Sequence, residues 1–325
     1  MDNKAIYKKT LVFSIKRFLW DAMSFAVIIL VAAAGFFIAD KAASNGLIGL
    51  AIGVVVGIII VAIASHFISY VFKAGQIAMM AKGITEGTLP DDVYAAGKQI
   101  VKERFLTVAA YYAVTGVIKG IFNEIGNAIT ALGKAVGGDN GGAVGGAISG
   151  AIQTIVGYLC DCCLGWVFYC SNEKATRATL EGAVLFFRHG KTLMKNLGRI
   201  FGMGLLSLAL IGGAFFGIFY LISLALPDAF AALANEFAKM TAEGEDLGFL
   251  ADPQNLMLVT SGIGGLIMWG IIHSTFIRPF ILVGVLRNYI ESGIKDRPTE
   301  ASFAELDKKS KKFAKLHKKV EAESA

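Results

Sequence analysis

Charge is what this sequence has least of. Only 17% of its 325 residues are charged while 55% are hydrophobic, and the mean hydropathy is +0.61. A soluble chain of this length spreads charge along its surface, so the deficit excludes an ordinary soluble domain. Proline is scarce as well, at 5 residues against 38 glycines. That ratio reads as close helix packing in a membrane rather than as disorder. Cysteine is limited to Cys160, Cys162, Cys163 and Cys170. Their spacing is unlike a paired zinc knuckle and no histidine is near in sequence, so no metal site is expected and the thiols read as membrane-edge groups open to acylation. Zinc-protease helix, phosphate-binding glycine loop and serine-elbow motifs are absent. The chain is therefore expected not to be an enzyme, to need no cofactor and to have no nucleic-acid partner.

What is present is a series of long apolar runs, each near the roughly 20 residues that cross a hydrocarbon core about 30 Å thick. They predict an all-α, polytopic transmembrane helix bundle of about six spans, at residues 22–39, 46–72, 105–133, 143–169, 200–226 and 256–286. Residues 1–21 form an N-terminal segment, 22–292 the transmembrane domain, and 293–325 a basic tail. Lys4, Lys8, Lys9, Lys16 and Arg17 precede the first run without a cleavage site, so the first helix is expected to be retained. Lysine and arginine are concentrated before span one, between two and three, between four and five, and after six. Six crossings put all of these on one side, which predicts both termini in the cytosol.

Gly49, Gly53 and Gly57 share one face of the second span, and Gly142, Gly146 and Gly150 one face of the fourth. Such seams let backbones approach closely, which makes spans two and four the expected close-packed pair; pore lining is the other reading. Amphipathic helices on the cytosolic side are expected at the headgroups, one within 73–104 opening near Pro90 and Asp91, others within 171–199. The tail has Leu306, Phe313 and Val320 at seven-residue spacing among Lys308, Lys309, Lys311, Lys312, Lys315, Lys318 and Lys319. It reads either as solvated or as attracted to anionic lipids of the inner leaflet.

Two places hold polar or aromatic groups inside apolar runs. In the third span Thr115, Lys119, Asn123, Asn127 and Thr130 form one helical stripe with Glu124 beside it. A lysine facing lipid at mid-bilayer costs about 2.5 to 3.5 kcal/mol, so the stripe is expected to face the bundle interior, as a passage lining or as an interhelical hydrogen-bond network. In the sixth span Trp269, His273 and Phe280 lie along one face, with Phe276 adjacent and Arg278 before Pro279.

From about residue 90 to 302, four stretches in order carry a family resemblance: ERFLTVAAYYAVTGVIKGIF, YLCDCCLGWVFYC, AVLFFRHGKTLMKNLGRIFGMGLL and VLRNYIESGIKDRP. Together they resemble the membrane core of the choline transporter-like family, whose members usually have about ten spans. The resemblance implies transport of choline or a related small organic cation across a plasma membrane, through a passage lined by spans three, four and six. A quaternary ammonium is attracted to aromatic faces, for which Tyr111, Tyr112, Trp269, Phe276 and Phe280 are the candidates. The alternatives are an oligomeric channel with glycine seams packing homo-oligomer subunits, and a non-transporting membrane scaffold.

Overall fold

The computed structural model describes residues 1–43, 46–105, 108–137, 142–194, 197–242 and 247–322. Among these, all regular structure is helical. Four helices are long and apolar enough to cross a membrane: Asn3–Ala42, Ile48–Ser65, Gly198–Leu224 and Pro253–Lys295. A fifth is added if Val93–Arg104 and Ala109–Glu124, bent by 82° at their junction, count as one. The all-helical membrane class therefore holds, with four to five candidate spans by length and composition among the described residues. Several apolar helices of this length make the chain an integral membrane protein.

The helices divide into two compact units, residues 1–197 with 279–325, and residues 198–278. In the first, α1 (Asn3–Ala43) and α2 (Gly46–Thr85) form a long antiparallel hairpin. Their 41 and 40 residues correspond to roughly 60 Å of helix at about 1.5 Å per residue, about twice the bilayer core. The helices change character along that length. Leu19, Leu30, Phe37 and Ile38 on α1, and Ile52, Val55, Ile59 and Ile63 on α2, are exposed. An apolar surface of that extent marks the lipid-facing stretch. Below it, Ile6, Thr10, Phe13 and Ser14 on α1 and Ala74 to Ala81 on α2 are buried. Residues 3–21 are thus a continuation of the first helix, whose face from Ile6 to Ser14 is folded on protein. Trp20 Nε1 donates to Ser65 Oγ at 3.0 Å near the changeover, a level where tryptophan commonly sits.

The glycine seam of α2 meets α1 and not the fourth predicted span. A side chain at Gly49 would strike the carbonyl of Gly35; one at Gly53 would lie 2.6 Å from the carbonyl oxygen of Val31, and one at Gly57 3.0 Å from Ile28 Cα. The short connection decides this, because a tight hairpin makes α1 the neighbour of the whole α2 face. Gly150 has open space around it, and the surroundings of Gly142 and Gly146 lie outside the described residues.

The remaining helices of this unit are α3 (Val93–Arg104), α4 (Val108–Gly137), α5 (Gly142–Tyr169), α6 (Ala175–Met194), α11 (Arg278–Lys295), α12 (Glu300–Asp307) and α13 (Lys311–Ala322). The N-cap of α3 is Asp92, whose side chain accepts from Ala95 N at 2.9 Å, so the helix starts just past the expected Pro90–Asp91 turn. Its apolar face, Val93, Gly97 and Val101, is buried, and Tyr94 packs on Phe13 of α1. Protein, not headgroups, covers the apolar face of this helix. The same correction applies to residues 178–185 of α6: Ala178 to Leu185 are buried, as are Trp166 of α5 and Tyr289 of α11. Gly293 permits that packing, since a side chain there would meet Trp166 at 2.5 Å. Tyr289 Oη donates to the Gly182 carbonyl. The N-terminus reaches α11 as well, because Arg287 donates to the carbonyl of Met1 and to Asn3 Oδ1, each at 2.6 Å.

In the second unit, α7 (Leu197–Ser207) continues through a π-turn, Leu208–Gly212, into α8 (Gly213–Leu224). This composite pairs with α10 (Pro253–Ile272), which runs into a second π-turn, His273–Ile277. Gly265 makes the approach close: a side chain there would lie 2.9 Å from the Gly212 carbonyl oxygen. Between them α9 (Pro227–Ala242) has Asp228 in its first turn and Lys239 in its last, matching the helix dipole. Asp252 caps α10 by accepting from Gln254 N at 2.7 Å.

Candidate functional site

The C-terminal half of α5 is buried almost without interruption from Tyr158 to Phe168. One charged residue stands in it. Asp161, 2% exposed, accepts an ion pair from Lys73 Nζ of α2 at 2.6 Å. A buried carboxylate is stable as an anion only with a partner of this kind. Three tyrosines gather beside it: the Tyr70 ring centroid is 5.3 Å from Tyr111 and 6.5 Å from Tyr112, and the latter two are 5.1 Å apart. The charge of Asp161 acts directly on Tyr111. Phe105 continues the cluster, edge-on to Tyr111 at 5.4 Å and to Phe168 at 5.8 Å.

Helix geometry explains the convergence. Tyr70 precedes Lys73 by three residues and so shares its face of α2, while the bend between α3 and α4 turns Tyr111 and Tyr112 back toward it. Phe168 also lines a cleft of about 580 Å³ together with Lys82, Glu86, Glu103 and Arg104. Arg104 closes the end of α5, donating to the carbonyls of Cys170, Ser171 and Glu173. Chemically, a buried carboxylate flanked by ring faces is a cation receptor, and Lys73 fills the role of cation.

No protein-family model, curated protein or solved structure matches this chain.

The residues singled out from sequence separate into different surroundings. Tyr111 and Tyr112 are in the acid–tyrosine cluster. Thr115 donates to the carbonyl of Tyr111 on its own helix, Lys119 is exposed, and Asn123 Oδ1 is buried with no partner among the described residues. Glu124 accepts from Ser310 Oγ at 2.7 Å and from the backbone N–H groups of Lys311 and Lys312, which makes it the anchor of the tail helix α13. The side chains of Asn127 and Thr130 lie outside the described residues. Phe280 packs edge-on against Tyr7 at 5.3 Å. Trp269 and His273 belong to the second unit, as does Phe276. There Ser207 Oγ accepts from Trp269 Nε1 at 3.0 Å and lies 3.0 Å from His273 Nδ1. This trio sits where both π-turns begin, and such turns are frequent at functional positions.

Sequence reasoning missed Asp161, Lys73, Tyr70 and Ser207. The sequence does carry a signal for Asp161, since a lone acid inside an apolar run demands a cation. Three of the four cysteines, Cys162, Cys163 and Cys170, are buried, which closes those thiols to acylation. Cys170 lies with Glu173 and Glu181, their ligand atoms within 4.8 Å of one another. Arg297 occupies that cluster, 3.5 Å from Cys170 Sγ and 3.2 Å from Glu173 Oε1. Burial and then the Glu181 and Glu173 charges push the Cys170 thiol up to about 12. It is held as a neutral thiol and not as the thiolate a metal or an electrophile requires.

Proposed function

We propose that this chain is a membrane transporter of small organic cations, choline being the first to test, in keeping with its resemblance to choline transporter-like proteins. The observation that carries the reading is the buried Asp161, ion-paired to Lys73, beside Tyr70, Tyr111 and Tyr112. Lys73 is 41% exposed on its side chain. It can therefore withdraw toward water and yield the carboxylate and ring faces to an incoming cation of similar charge. Six crossings, with α4 and α5 as the third and fourth, a plasma-membrane location and cytosolic termini complete the proposal. Even crossing numbers put the N-terminus on the side where the sixth span ends, in keeping with the bonds from Arg287, just past that span, to Met1 and Asn3. The seam of Gly49, Gly53 and Gly57 is used within the α1–α2 hairpin, which weighs against the oligomeric channel packed through it.

The test is radiolabelled choline flux into proteoliposomes of the purified chain. Uptake above empty vesicles is expected, with loss in Asp161→Asn. Absence of uptake under several ion gradients overturns the choline assignment, and uptake undiminished in Asp161→Asn overturns the site.

A further inference from the structure

The basic tail is docked. Phe303 and Leu306 of α12 and Phe313, Leu316 and Val320 of α13 are buried, the last three on one face, while Lys311, Lys312, Lys315, Lys318 and Lys319 lie on the opposite side of that helix. Contacts run from α13 to α6 and α4, and from α12 to α6. A single polar joint fixes the start of α13. Ser310, 1% exposed, gives its hydroxyl to Glu124 Oε2 at 2.7 Å and accepts from Phe313 N at 3.1 Å as the helix N-cap. Glu124 also accepts from Lys311 N at 3.3 Å and Lys312 N at 3.1 Å. One carboxylate on α4 thus satisfies the free N–H groups that begin α13.

The serine stands in the run Lys308-Lys309-Ser310-Lys311-Lys312. All four lysines are exposed while the serine is not. We propose that Ser310 is a phosphorylation site for a basophilic serine kinase, and that its modification releases α13 from α4. The γ-phosphoryl group of ATP passes to Ser310 Oγ. A P–O ester bond forms, the bond to the β-phosphate breaks, ADP leaves and the hydroxyl proton goes to solvent. The kinase reads the exposed lysines and takes the serine when α13 opens locally, as short terminal helices do.

Two effects follow from charge. A group of about −1.5 to −2 placed against Glu124 repels it and does not fit a buried slot. The same phosphate is an excellent acceptor for the N–H groups of Lys311 and Lys312, so it replaces Glu124 as the cap while α13 loses its tether. A helix of 12 residues without its packing opens often, and amide exchange reads that opening. The proposal rests on the cytosolic placement of the tail for access to ATP, but the joint itself is testable without sidedness.

The experiment uses the full chain in detergent, treated with the catalytic subunit of a basophilic serine kinase and ATP. Mass spectrometry is expected to find phosphate on Ser310, and more of it in Glu124→Ala, where the joint is already open. Amide exchange of 313–322 in Ser310→Asp is expected to rise at least about tenfold over the unmodified chain, with exchange of 178–185 unchanged as the check on folding. Ser310→Ala removes the cap without adding charge and is expected to have a much smaller effect. No phosphate on Ser310 even in Glu124→Ala overturns the site. Equal exchange in Ser310→Asp and Ser310→Ala overturns the charge mechanism. Failure of choline uptake leaves both readouts intact, and failure here leaves the uptake assay intact.

Discussion

The two ends of the α1–α2 hairpin are built from the same pair of helices by different means. In the lipid-facing stretch, backbone meets backbone: Gly53 lies against Val31 and Ala32, and Gly57 against Ile28, with Leu30, Phe37, Ile52 and Ile59 turned outward. At the other end Phe13, Met79 and Val93 fill a core of side chains, and Gln76 bonds the Thr10 carbonyl and the Ser14 hydroxyl. Lipid is as apolar as leucine, so burying leucine there gains little and close packing must hold the helices together. In water, burial itself stabilises, at about 25 cal/mol per Å².

The largest effect is expected where the backbones touch. In Gly53→Leu the new Cβ lies 2.6 Å from the Val31 carbonyl oxygen and 2.8 Å from Ala32 Cα, and neither can move without separating the helices. Overpacking of this kind costs about 3 kcal/mol or more, and little monodisperse protein is expected on size-exclusion chromatography. Normal yield and melting temperature would show that the hairpin tolerates separation.

Next come two phenylalanines on α1. Phe13 is fully buried and Phe37 is 62% exposed, yet hydropathy counts them alike. Phe13→Ala is expected to cost about 3 kcal/mol, and Phe37→Ala under about 0.5 kcal/mol, in denaturant unfolding in detergent. Equal losses would remove the distinction between the ends.

Lys73 and Asp161 lie between the two regimes, and their burial is unequal at 41% and 3% side-chain exposure. Lys73→Met takes the cation from a buried carboxylate and is expected to cost about 2 kcal/mol, whereas Asp161→Asn leaves an ammonium that reaches water and costs about 1 kcal/mol. The double variant should recover part of the Lys73→Met loss. If Asp161→Asn proves the costlier single change, the carboxylate is better solvated than its burial indicates.

Legibility in the sequence follows the same division. Hydropathy located the lipid-facing runs, because twenty apolar residues have one interpretation. It placed the second span's end at residue 72, although α2 continues to Thr85, because a helix leaving lipid for a protein core stays apolar. The expectation of headgroup helices failed for the reason that Val184 and Leu185 are equally suited to lipid and to Trp166 and Tyr289. The heptad spacing of Leu306, Phe313 and Val320 marked residues that are indeed buried, but only the fold places Glu124 at their helix start. Asp161 and Lys73, 88 positions apart, carry no local signal of their pairing. Among the site candidates, Tyr111 and Tyr112 were legible as aromatics and their acidic neighbour was not.

The smallest effect concerns the water-side core alone. Burial, and then the charge of Glu173, raise the Glu181 carboxyl above the ordinary carboxylate range; the Trp166 N–H bond and the Arg297 and Arg177 charges oppose this in part. A carboxyl raised in the folded state binds its proton more tightly there than in the unfolded chain. Its stabilising contribution is complete below the unfolded value and is lost as pH rises through the folded one. Unfolding free energy of the full chain is therefore expected to contain a small component that declines as pH rises above the ordinary carboxylate range, the arginines offsetting part of the cost. Glu181→Gln, which keeps an acceptor for Trp166 and does not ionise, should flatten that component. A slope unchanged in Glu181→Gln would assign it to another group, and a slope of opposite sign would mean that Arg177 and Arg297 outweigh burial at this carboxyl.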